Sequence, residues 1–82
     1  MNVTKRRQNE KEFENWTKTS GGGRQYWFDV MGRNGGKARY VKEVDLNETT
    51  IAFWQEVFDI HGTMIELHEK FPIDKGHIKI VL

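Results

Sequence analysis

From Arg24 onward the chain is a succession of short runs in which apolar and polar residues alternate: "RQYWFDVM", "KARYVKEV", "TIAFWQEVF", "MIELHEK" and "HIKIVL". Period-two alternation marks a strand with one buried face. Only "GRNGG", "DLNET", "DIHGT" and "FPIDKG" stand between the runs. This spacing constrains the fold more than any other feature of the sequence. A crossover between parallel strands takes about a dozen residues or more, so runs joined this tightly must pair antiparallel. Five strands are expected, over 24–31, 37–44, 50–58, 64–70 and 77–82, in a meander sheet that is strongly twisted or partly barrel-like.

The residues before Arg24 read differently. "QNEKEFENWTK" is rich in strong helix formers and poor in β-branched residues. Asn9 stands where a cap would, with Glu12 in capping-box spacing, and Phe13 and Trp16 would share a helical face. A short helix is expected over 9–18. The glycines of "TSGGG" end it, and 19–23 reads as a flexible hinge; no GK[ST] follows, so it is not a phosphate loop. Residues 1–8 are expected to form a flexible basic arm ahead of one small α+β domain over 9–82: a short N-terminal helix, then a five-stranded antiparallel meander.

A chain of 82 residues is small, and at this size only about 60–65% of the unfolded surface is buried on folding. Cysteine is absent, so neither disulfides nor thiolate metal ligands can reinforce so small a core. The three histidines show no HxH or HExxH spacing, and neither metal nor cofactor is expected. With 13 basic and 12 acidic residues the net charge is +1, lower than in dedicated nucleic-acid binders. No apolar run is long enough to span a membrane, and the basic start leads into no secretory apolar stretch. A cytoplasmic protein without a membrane partner is the expectation.

Alternation also assigns faces. The expected core face holds Tyr26, Phe28 and Val30; Ala38, Tyr40 and Val44; Ile51, Phe53 and Val57; Ile65 and Leu67; and Ile78, Ile80 and Leu82, with Lys42 and Gln55 as polar exceptions. A type I turn with a left-handed Gly62 in "DIHG" would set Asp59 opposite Thr63, Val57 opposite Ile65 and Trp54 opposite His68. Matching core to core elsewhere sets Val30 opposite Ala38, Val44 opposite Ile51 and Lys70 opposite His77. The second face then gathers Asp29, Arg39, Glu56 and Glu66, beside Trp27, Val41, Trp54, His68 and Lys79.

That face carries the functional expectations. Trp27 and Trp54 with Arg39, Lys70 and Lys79 form an aromatic and charged surface of the kind that binds a protein or nucleoprotein partner, or a second copy of the chain. A small non-enzymatic binding or regulatory protein is therefore the leading reading; such domains are common among phage and mobile-element regulators. The same aromatics and cations could stack the bases of RNA or single-stranded nucleic acid. A third reading is a metal-independent ribonuclease, with His68, His77 or Glu56 exchanging protons and Arg39 and Lys79 stabilising phosphorane charge. In layout alone, a helix followed by an antiparallel meander is similar to the barnase, colicin and RelE-type toxin ribonucleases; no residue motif of theirs occurs here.

Overall fold

The computed structural model describes residues 1–80. Helix α1 (Val3–Glu12) is followed by β1 (Asn15–Lys18), β2 (Arg24–Met31), β3 (Lys37–Val44), β4 (Thr50–Phe58), β5 (Met64–Phe71) and β6 (His77–Lys79). The strands form one antiparallel sheet in the order β1 to β6, a meander that does not close into a barrel. The fold class is the expected α+β, with six strands where five were expected. The last expected strand is also shorter, and Leu82 lies outside the described residues.

The sixth strand comes from the segment expected to be helical. Asn2, not Asn9, is the cap: its Oδ1 accepts from the Lys5 amide at 2.9 Å and starts the helix inside the expected flexible arm. The helix stops at Phe13, whose backbone is extended. The Phe13 ring packs 6.0 Å from Tyr26 and 5.4 Å from Phe28, centroid to centroid. Burying that ring outweighs the modest propensity of another helical turn. The chain then pairs Asn15 with Trp27 and Trp16 with Tyr26, and the Arg24 guanidinium stacks 3.5 Å above the Trp16 ring.

The expected glycine hinge is a tight β-turn. The Thr19 amide donates to Gly23, the Gly22 amide donates to Thr19, and Gly22 sits at φ +84. A side chain at Gly23 would lie 2.0 Å from the Val44 carbonyl oxygen, so this residue lets β2 approach β3. The same three-residue loop with a left-handed last position recurs between β3 and β4 and between β4 and β5. There Asp45 and Asp59 take the place of Thr19, and each aspartate accepts two further amide hydrogens. Gly62 holds the left-handed position in the second, as expected. In the first it is Glu48, at φ 64.

Glu48 compensates for that strain from inside the protein. Its Oε1 accepts from the Tyr26 hydroxyl and from Arg6 Nε at 3.1 Å, while its side chain is fully buried. Two more polar links hold the helix: Arg24 Nη1 donates to Glu10 at 3.1 Å, and Lys42 Nζ donates to Asn9 at 2.9 Å. Burial pulls the Arg24 pKa down, but its hydrogen bonds to Tyr26 and Glu10 outweigh that and leave it raised. Burial, reinforced by Glu48, raises the Tyr26 hydroxyl. The helix offers no apolar face; its one buried residue is Asn9. It therefore docks through charge and hydrogen bonds onto the Tyr26, Val44 and Phe53 end of the sheet.

The apolar core is correspondingly small. Phe13, Tyr26, Val41 and Val44 are the buried hydrophobic residues, with Phe28 and Phe53 partly buried beside them. Val30, Ile51, Ile65 and Ile78, all expected inside, are exposed. The helix roofs only one end of the sheet, and bulges turn Ile51 and Ile65 out of register. The radius of gyration is 13.7 Å, against about 12 Å for a compact chain of this length.

Replacing Glu48 tests the docking. Glu48→Ala strands the buried Tyr26 hydroxyl and the half-buried Arg6 while keeping a left-handed Cβ, and should lower unfolding free energy by about 2–4 kcal/mol. Glu48→Gly loses the same partners but relieves the backbone, and should cost about 1 kcal/mol less. Urea denaturation measures both; equal losses would show that the turn carries no strain.

Candidate functional site

The structure divides the expected site residues between the two faces of the sheet. The β2–β3 pairing is as expected, with Trp27 opposite Val41, Asp29 opposite Arg39 and Val30 opposite Ala38. Arg39 then faces Glu56 and Val41 faces Trp54. Val44 meets Thr50 instead of Ile51, because Ile51 is the extra residue of a bulge. The decisive difference lies one strand on. The "DIHG" turn pairs Asp59 with Thr63 as expected, and Phe58 with Met64. Ile65 is then bulged out, so Val57 meets Glu66, Gln55 meets His68 and Trp54 meets Glu69. One inserted residue moves every following side chain to the opposite face.

His68 consequently lies on the helix side of the sheet, and His77 with it. His77 pairs directly with His68 instead of with Lys70, and Lys79 pairs with Glu66 on the same side. Lys70, the extra residue of a second bulge, places Nζ 5.3 Å from the centroid of the Tyr40 ring on that side too. Of the expected catalytic set, His68, His77 and Lys79 stand on the helix face, and Glu56 and Arg39 on the other. The expected binding set divides likewise: Trp27, Trp54 and Arg39 against Lys70 and Lys79.

On the helix face the two imidazoles stand 4.4 Å apart, centroid to centroid. His68 Nε2 donates to Asp74 Oδ1 at 2.6 Å, and the same oxygen accepts the Gly76 amide at 2.9 Å. The Gly76 N–H, with His68 beside it, holds the Asp74 carboxyl below the ordinary aspartate range. His68 Nδ1 is buried with no hydrogen-bond partner among the described residues. One nitrogen of His68 is thus engaged and the other enclosed. As placed, His68 fastens the β5–β6 loop, and exposed His77 is the imidazole of the pair open to solvent. No group of His, Cys, Asp and Glu among the described residues could hold a metal ion.

The opposite face carries both inner-strand tryptophans. Trp27, Val41 and Trp54 run in one row to Glu69; Asp29, Arg39 and Glu56 form the next, continued by Leu67. No other element covers this face among the described residues. Its polar groups are mutually fixed. Arg39 grips Asp29 through two hydrogen bonds of 2.8 and 3.1 Å, its guanidinium stands 5.7 Å from the Trp27 centroid, and the Trp54 indole donates to Glu56 at 2.9 Å. The Arg39 hydrogen bonds hold Asp29 below its usual pKa, and Asp29 in turn raises Arg39. Two clefts flank Trp54. One of about 310 Å³ is lined by Ala52, Trp54, Glu56, Met64, Leu67 and Glu69. The other, of about 200 Å³, lies towards Trp27 and Arg39. Sequence reasoning placed Leu67 in the core and gave no functional role to Glu69 or Asp74. The polar residues Gln55 and Lys42 in the expected core rows were the available signal. Gln55 donates to Tyr40 at 3.2 Å and faces His68, and Lys42 binds Asn9 of the helix.

The sequence matches no protein-family model, and no curated protein or solved structure matches it significantly.

Two pH-dependent outcomes follow from the ion pairs. A depressed folded pKa means that Asp29 contributes stability above its unfolded pKa, about 3.9, and that the contribution is lost as pH falls through the lower folded value. Asp29→Asn should be less stable than wild type at pH 7, and the gap should close in acid below about pH 4; equal gaps at both ends, read from urea midpoints, would contradict the assignment. For Asp74, carboxyl NMR titration should show its pKa moving up in His68→Ala while staying below the ordinary range, because the Gly76 amide remains.

Proposed function

We propose that the protein is a small binding module that works through the tryptophan face of its sheet, and that its partner is a protein. One observation carries the reading: the chain has too little of itself to cover what it exposes. Its accessible surface is 5735 Å², whereas a compact protein of 9.7 kDa exposes about 5,100 Å². One end of one face is roofed by the helix; no element lies over the other among the described residues, where Val41 is buried between the two tryptophans. This face joins the half-buried Trp27, Trp54, Leu67 and Met64 to an arginine already fixed in place. Rigid aromatics and a held arginine are what interface centres are made of, and groups held in position lose less freedom on binding.

Charge favours protein over nucleic acid. The face carries Asp29, Glu43, Glu56 and Glu69 against Lys37, Arg39 and, at its edge, Lys75, and all three cations are already paired, the first two with Asp29 and the third with Glu69. A phosphate backbone needs a surplus of free cations. The cations that would supply one, Lys70 and Lys79, project from the other side. The ribonuclease reading gains little from the geometry, because His68, His77 and Lys79 stand on one face and Glu56 and Arg39 on the other.

A co-purification experiment separates the readings. Tagged wild-type protein expressed in its native host should retain a stoichiometric protein partner that Trp54→Ala and Trp27→Ala each lose, with unchanged circular dichroism, while His77→Ala keeps it. Loss that follows His77 and spares both tryptophans would sink the proposal.

A further inference from the structure

The cleft beside Trp54 is built for a particular side chain. Its apolar lining comes from Ala52, Trp54, Leu67 and Met64. Its lip carries two carboxylates: Glu56, two residues along the strand from Trp54, and Glu69, directly across from it. A third, Glu43, stands across from Ala52. The volume, about 310 Å³, lies at the small end of the range for ligand pockets, about 300–1,000 Å³, and suits one long side chain better than a whole metabolite.

The carboxylates lack strong cationic partners. Glu56 accepts from the Trp54 indole at 2.9 Å and Glu43 from the Gln25 amide at 2.8 Å; both donors are neutral. Glu69 meets Lys75 at 3.1 Å, but both side chains are exposed, and such a pair contributes little and exchanges readily. Arg39, the nearest strand cation, is committed to Asp29 through two hydrogen bonds. An apolar trough beside an indole, rimmed by three carboxylates that are offset among the described residues only by the exposed Lys75 and by an Arg39 shared with Asp29, matches a long aliphatic stem with a cationic head. Arginine fits best, because its planar guanidinium both stacks on an aromatic ring and forks onto carboxylates.

We infer that the Trp54 cleft receives an arginine or lysine side chain from the partner protein, presented within an apolar segment that lies along the tryptophan face. The inference rests on the proposed function and narrows it to a partner with a basic anchor. A second copy of this chain is a poor occupant: two such faces would oppose the Glu43, Glu56 and Glu69 clusters to each other, and like charges brought together at an interface repel.

The test pans a random linear peptide library on the full-length protein, with Trp54→Ala as counter-target. Enriched peptides should carry arginine or lysine next to apolar residues. Fluorescence titration of the best peptide should show affinity falling about tenfold or more in Glu56→Gln/Glu69→Gln, and falling as salt is raised. A single-stranded oligonucleotide run in parallel should not bind this face. Enrichment of acidic or uncharged peptides, no enrichment over the counter-target, indifference to Glu56→Gln/Glu69→Gln, or oligonucleotide binding lost with Trp54→Ala would each overturn the inference. Partner retention that depends on Trp54 but not on Glu56 and Glu69 would remove the cation site and leave the proposed function standing.

Discussion

The Glu48 carboxylate ties the parts of this molecule together. It projects from the turn between β3 and β4, meets the Tyr26 hydroxyl of β2, and reaches Arg6 of the helix. Three segments distant in sequence converge on one buried charge. The helix has no apolar face of its own, so it is secured by this contact together with the Glu10–Arg24 and Asn9–Lys42 links. A buried carboxylate is costly unless it is hydrogen-bonded and paired. Here one oxygen, Oε1, takes both partners while Oε2 is buried without one among the described residues, so the helix contact and the Tyr26 contact share a single acceptor.

The economy of that arrangement explains the shape of the rest. Ten residues of polar helix can cover only a corner of a six-stranded sheet, so much apolar surface stays outside. Residues that a larger protein would bury are thus held near the surface beside paired charges. Rigidity comes from the sheet ladder and from links such as Arg39 with Asp29, which fix side chains before any partner arrives.

Much of this was legible in the sequence. Short turns between alternating runs dictate the meander, and β2 to β4 pair as alternation predicts because no bulge interrupts them before Glu43. Two places misled. The helix was placed too late because the apolar spacing of Phe13 and Trp16 suits a helix as well as it suits a packed residue followed by a strand; Asn2, the true cap, carried the better signal. The histidines were placed on the wrong face because Ile65 looks like any inward strand residue. A bulge has no residue signature of its own, and its trace here lay in the company it creates: Gln55 in an apolar row makes sense once His68 stands opposite. Alternation is local, whereas face assignment accumulates along the chain, so a single extra residue outweighs several correct strands.

The outermost strands are also the shortest, four residues in β1 and three in β6. Each carries a lysine, Lys18 in one and Lys79 in the other. An open sheet always has two unsatisfied margins, and long, flat, uncharged margins recruit further strands without limit. These margins are too brief and too charged to template such growth. Open-ended strand addition at the rims of the sheet is thereby disfavoured, and the broad faces are left as the surfaces on which a contact would be self-limiting.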